Sequence, residues 1–88
     1  MLLQYKIKFE EGLHSRAAIN LTNLTRKHRN SSFTIIKIND KDVIIKCNSL
    51  ISILSSNIQC EDIIELSVVC DATIKSEIKK ELDMIFGE

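Results

Sequence analysis

The apolar residues of this chain change their spacing several times within a short length, and that alternation restricts the fold more than any single residue does. From Leu3 to Phe9, the residues Leu3, Tyr5, Ile7 and Phe9 alternate with Gln4, Lys6, Lys8 and Glu10. Successive side chains of an extended chain point to opposite faces, so this pattern predicts a strand with one wet face, as in an antiparallel sheet covered on one side. After Glu10-Glu11-Gly12 the spacing turns helical. Ala18, Leu21, Leu24 and Thr25 form one stripe, with Asn20, Asn23, Arg26 and Lys27 elsewhere, which predicts a helix from about Ser15 to Arg29. Arg26, Lys27, His28 and Arg29 crowd its last turn, where the exposed carbonyl end favours positive charge. Asn30-Ser31-Ser32 ends it.

Two β-branched stretches follow, Phe33–Ile38 and Val43–Lys46, separated by Asn39-Asp40-Lys41-Asp42. They predict a hairpin, with the Ile35-Ile36 doublet marking a bulge. Asn48 to Ser56 carries Leu50, Ile51, Ile53 and Leu54 at spacings that suit a short helix. Ile64, Leu66, Val68 and Cys70 alternate with polar neighbours and Val69 as a fourth strand. Ile74, Ile78, Leu82, Ile85 and Phe86 then form a helical core stripe, with Asp71 or Thr73 to cap its start and Gly87 to stop it. The order is β-α-β-β-α-β-α. It predicts an α+β fold, an open-faced sandwich in which helices cover one face of a four-stranded antiparallel sheet.

A chain of 88 residues is too short to split into two cores, so residues 1–88 are read as a single domain. Aromatic residues are only 5% of it, so the core must be aliphatic. Proline is absent and glycine occurs only at Gly12 and Gly87, leaving the turns to Asn, Asp and Ser. Twelve basic residues balance twelve acidic ones, which gives no net field to attract nucleic acid or an anionic membrane. No apolar run reaches the roughly 20 residues that span a bilayer, and the start lacks the pattern of a signal peptide. A soluble cytoplasmic protein is expected. Cys47, Cys60 and Cys70 are odd in number and lack C-x-x-C spacing, so they are read as free structural thiols, with neither a disulfide framework nor a metal site.

The segment Gly12-Leu13-His14-Ser15-Arg16 lies where the first strand passes into the first helix. The first N–H groups of a helix lack internal partners and carry partial positive charge, so they hold a phosphate without further machinery. An imidazole at that entrance, neutral in part near its ordinary pKa of about 6.5, can accept a phosphoryl group on a ring nitrogen. Arg16 supplies a planar donor fork for the phosphate oxygens. The backbone N–H groups of Ser15, Ala17 and Ala18 complete the predicted cradle. Residue type alone does not make a helix-start histidine a nucleophile; His14 needs the rest of the chain to support the reading.

That support is a resemblance. Gly12-Leu13-His14-Ser15-Arg16-Ala17-Ala18 resembles the signature G-[IL]-H-A-R-P-A of the histidine-containing phosphocarrier proteins (HPr) of the bacterial sugar phosphotransferase system. Length, element order, Lys46 before the short second helix and the Gly87-Glu88 terminus agree with it. The resemblance implies that His14 takes a phosphoryl group from enzyme I, charged by phosphoenolpyruvate, and passes it to the IIA domain of a sugar permease. Arg16 is then its electrostatic partner. Such a chain is a phosphocarrier with a phosphohistidine intermediate rather than a self-contained enzyme, and needs no cofactor and no metal.

The match departs from the pattern at several positions. Ala17 replaces the proline, which loosens the first turn and adds a donor, and Ser15 adds a hydroxyl able to cap the helix or touch phosphate. The serine that a dedicated kinase phosphorylates in Gram-positive relatives, directly after the lysine, is Cys47 here, so the resemblance implies that this control is absent. Ser49, two residues on, is read as a solvent-facing polar residue. The residues Asn48–Ile53 also differ from the family's Met- and Gly-containing docking surface. These differences motivate a second reading, an HPr-like regulatory module that contacts a transcription factor or enzyme without passing phosphate on. A third reading, a redox switch through Cys47, requires that thiol to be exposed. His28 is assigned to the basic surface cluster.

Overall fold

The computed structural model describes residues 1–87, apart from the side chain of Ser15. The readings of the Ser15 hydroxyl and of Glu88 therefore lie outside the described residues. Four strands, β1 (Leu2–Lys6), β2 (Ser32–Ile38), β3 (Lys41–Lys46) and β4 (Ile63–Val69), and three α-helices, α1 (Ser15–Lys27), α2 (Leu50–Ser55) and α3 (Lys75–Phe86), follow the predicted order. A single 3₁₀ turn, Ala72–Ile74, leads into α3. The sheet runs β1-β4-β2-β3 with every neighbour antiparallel. The chain is thus the predicted α+β sandwich, with one sheet face beneath the helices.

Alternation places the core. Tyr5 and Ile7, Phe33 and Ile35, Ile45 and Cys47, and Ile64, Leu66 and Val68 point under the helices and are buried. They meet Ala18, Leu21 and Leu24 of α1 and Ile78, Leu82 and Phe86 of α3. The β1 ladder stops at Lys6, short of the predicted Phe9, yet the alternation continues. Ile7 N–H donates to the Asp62 carbonyl at 2.8 Å and its own carbonyl accepts from Glu61 N–H at 2.8 Å, so the chain stays pinned beside the loop before β4. The Tyr5 ring stacks on Phe86 with centroids 4.6 Å apart, and its hydroxyl donates to Asp83 at 2.7 Å.

The hairpin turn is shorter than its polar sequence suggested. Ile38 pairs with Lys41, so only Asn39 and Asp40 turn the chain, at φ 51° and 66°. Two left-handed residues suit the twist of a two-residue hairpin, and Asn and Asp tolerate that region best after glycine. The bulge falls at the Ile35-Ile36 doublet. Ile35 pairs with Leu66 and Lys37 with Glu65, which leaves Ile36 as the extra residue against β4. Without it, Lys37 would face the core; with it, Ile38 returns to the buried side opposite Ile64.

Helix α1 ends two residues earlier than predicted, at Lys27, with His28 as its C-cap. Thr22 and Thr25 are its buried polar side chains, and both hydroxyls donate to α1 carbonyls, those of Ala18 (2.9 Å) and Thr22 (2.7 Å). Neither leaves an unpaired group in the core. At the start of the 3₁₀ turn the cap is Asp71, which accepts from Thr73 N–H at 2.9 Å. Gly87 stops α3 at φ 76°, the left-handed conformation that glycine adopts freely. No helix among the described residues is long and apolar enough to cross a membrane.

Candidate functional site

Two anchors on either side of a narrow turn set the position of His14. Gly12 sits at φ +77° and its N–H donates to the Phe9 carbonyl at 2.9 Å. A Cβ there would lie 2.3 Å from the Ile58 carbonyl oxygen and 2.9 Å from the Gln59 Cα, so only glycine fits without moving backbone. Leu13 N–H donates to that same Ile58 carbonyl at 2.9 Å, and the Leu13 side chain is fully buried. Burial of such a side chain contributes about 1.5–3 kcal/mol. The loop after α2 therefore clamps the residues ahead of the histidine, and the histidine is held without using its own ring.

His14 is the N-cap of α1, at φ −128° and ψ 175°, and makes no side-chain capping bond. Its ring is half-exposed and has no hydrogen-bond partner among the described residues. Arg16, exposed in the first turn, has no carboxylate partner among them either. The predicted cradle needs one correction. Ala18 N–H donates to the His14 carbonyl at 3.5 Å and Ala18 is wholly buried, so it closes the first turn of the helix and is not a free donor. The donors that a helix leaves without internal partners are those of the turn before it, Ser15, Arg16 and Ala17. The half-exposed His14 ring, a guanidinium with no carboxylate partner among the described residues and the first N–H groups of α1 thus lie within three residues of one another.

The other residues singled out in the sequence lie elsewhere. Cys47 is not at the start of α2 but two residues before the cap, buried in the core, and burial pushes its thiol up to about 12. A thiol so placed is neither exposed nor ionised near neutral pH, which removes the redox reading. The residue at the start of α2 is Ser49, whose hydroxyl oxygen accepts from Ser52 N–H at 3.2 Å. It is a capping residue rather than a free surface serine. Cys60 and Cys70 are free and half-buried. His28 is not part of a solvated cluster: its Nε2 lies 3.0 Å from Glu81 Oε1, and its side chain is 9% exposed. Lys27 Nζ holds the other carboxylate oxygen at 3.1 Å. Burial pushes the Glu81 carboxyl up, but the hydrogen bonds and charges of His28 and Lys27 outweigh it and hold the group below the ordinary range.

Ile58 and Gln59 belong to the site and were not read from the sequence. The one available signal was Gly12, a lone glycine before the helix, which marks a backbone position in need of positive φ or close approach. On α2, Ile51 is exposed and Leu54 partly so, and Ile44 of β3 is exposed as well. Among the described residues, no three His, Cys, Asp or Glu side chains group closely enough to hold a metal ion.

The chain is an open-faced α+β sandwich with His14 at the entrance to its first helix. A family model, "PTS HPr component phosphorylation site", matches residues 3–81, and the chain belongs to that family, the HPr phosphocarriers of the phosphotransferase system. Among solved structures, HPr-C-His from Thermoanaerobacter tengcongensis is 25% identical at a TM-score of 0.76, over 100% of this chain and 97% of that one. The histidine-containing phosphocarrier protein of Mycoplasma is 21% identical at 0.76, over 98% and 97%. The phosphocarrier protein HPr of Bacillus anthracis is 13% identical at 0.71, over 99% and 93%. The last two establish likeness of fold. No curated protein matches the chain.

Proposed function

We propose that His14 is the phosphorylated residue, charged by enzyme I and discharged to the IIA domains of sugar permeases in the cytoplasm. The observation that carries this reading is the half-exposed His14 ring, without a hydrogen-bond partner among the described residues, at a helix start with unspent N–H donors. A ring nitrogen of His14 attacks the phosphorus of the phospho-donor. The new P–N bond forms as the bond to the donor breaks, and the donor keeps that electron pair. Charge spreading over the three equatorial oxygens is met by Arg16 and by the N–H groups of Ser15, Arg16 and Ala17. Onward transfer reverses these roles, with His14 as leaving group.

Incubation with phosphoenolpyruvate and the enzyme I of the same host gives an acid-labile phosphoprotein. Absence of label, or label that survives His14→Ala, overturns the reading. A regulatory module that contacts a transcription factor or enzyme is the second reading, favoured by Ala17 in the first turn and by the exposed Ile51 on α2. Discharge from phospho-His14 to a IIA domain separates them: a protein that charges but never discharges is the regulator.

A further inference from the structure

At the far end of α1 from His14, about 20 Å away by the rise of the helix, a cavity of about 400 Å³ opens where α1 gives way to β2. Three cations line it: Arg26 from the last turn of α1, Arg29 from the turn after it, and Lys46 from the end of β3. No carboxylate does. None of the three has an ion-pair partner among the described residues. The carbonyl end of α1 accounts for Arg26. It does not account for Lys46, which comes from another element and is brought in by its register opposite Thr34. Like charges gathered without a counter-charge repel one another, and a bound anion removes that cost.

Part of the remaining wall is polar and unspent. Ser31, Ser32 and Thr34 line the cavity, and no side-chain hydrogen bond within the described residues engages their hydroxyls. The buried Phe33 lies between them. The volume is at the small end of ligand pockets, suited to a metabolite and not to a folded segment.

We propose that this cavity binds a small phosphorylated polyol. Arg26, Arg29 and Lys46 hold the phosphate through charge-assisted bonds, and Ser31, Ser32 and Thr34 hold hydroxyls of the carbon body. The site is separate from His14 and does not depend on the reading of that residue. Backbone amide NMR of the intact protein, titrated with ribose 5-phosphate, inorganic phosphate, ribose and sulfate, tests it. Ribose 5-phosphate produces saturable shifts in residues 31–34 and 46–48, binding more tightly than inorganic phosphate or sulfate, while ribose alone produces none that saturate. Arg29→Gln and Lys46→Gln, on different elements, each weaken binding about tenfold, with the remaining spectrum unchanged and charging at His14 intact. Equal binding of inorganic phosphate, shifts confined to residues 12–18, or shifts that follow ionic strength alone overturn the proposal. So does loss of phosphate arrival at His14 in both variants without ribose 5-phosphate binding by the parent, which assigns these cations to an acidic protein partner.

Discussion

His14 and His28 cap the two ends of one helix, and their surroundings are opposite. His14 stands at the amide end with a half-exposed ring and no partner among the described residues; His28 stands at the carbonyl end with its ring against Glu81 and little surface left. The polarity of the helix explains both. Its start favours an incoming anion, which is what the phosphoryl transfer proposed for His14 uses. Its end favours a cation, so an imidazole there is best used as a tie to a carboxylate on the neighbouring helix. The residue type is the same. The helix end, and whether a partner is present, decide between chemistry and structure.

The most severe break in this comparison is His14→Asn. Asparagine removes the acceptor nitrogen, so acid-labile label falls to background. The backbone at this position is already extended, as an N-cap requires, so the new side chain caps α1 and raises stability by about 0.5–1 kcal/mol. Urea unfolding and phosphorylation measured on one preparation check both halves. A destabilised variant would show that the imidazole does more for α1 than its lack of contacts implies.

Gly12→Ala acts on the clamp ahead of His14. The methyl group meets the Ile58 carbonyl and the residue must keep a positive φ, so unfolding free energy drops by about 2–3 kcal/mol. Charging falls with it, because the histidine shifts with the turn. At the other end, His28→Ala removes a hydrogen bond to a charged carboxylate and costs about 1–2 kcal/mol in urea unfolding, while label at His14 is unchanged. Equal damage to charging in this variant would mean that the two ends of α1 are coupled.

The smallest effect is one of pH. Glu81 titrates in the folded protein below its ordinary value of 4.5. A depressed carboxylate contributes stability above its unfolded-state pKa and loses it as pH falls through the lower folded value. Unfolding followed from pH 5 downward therefore shows a decline below about 4.5 to which Glu81 contributes. A Lys27→Ala/His28→Ala double variant, lacking the bonds that depress Glu81, shows a flatter acid limb. Parallel curves would sink this assignment.

Much of the fold was legible because periodicity is a local property. The strand at the start, the stripe of α1, the bulge at Ile35-Ile36 and the stop at Gly87 each follow from residues within a few positions of one another. His14 and Arg16 were legible for the same reason, since a helix start needs only its own first turn. Boundaries were less secure where a ladder ends but alternation continues, as at Ile7, and where a polar run is partly turn and partly strand, as at Asn39–Asp42.

Other features were decided by contacts between distant segments, which no local pattern encodes. Gly12 must be glycine because the Ile58 carbonyl lies against it, some 46 positions away in the chain. His28 is buried because α3 brings Glu81 to it. Cys47 looks like the residue before a helix but belongs to the core, since the alternation of β3 carries past Lys46 and leaves Ser49 to cap α2. Arg26, Arg29 and Lys46 meet in one cavity only because β2 is paired with β3 in a register that places Lys46 opposite Thr34. The sequence by itself determined which elements form and where the histidine enters its helix, because both depend on spacing along the backbone. Tertiary structure decided which side chains are free and which are spoken for, because that depends on the parts of the chain that folding brings alongside them.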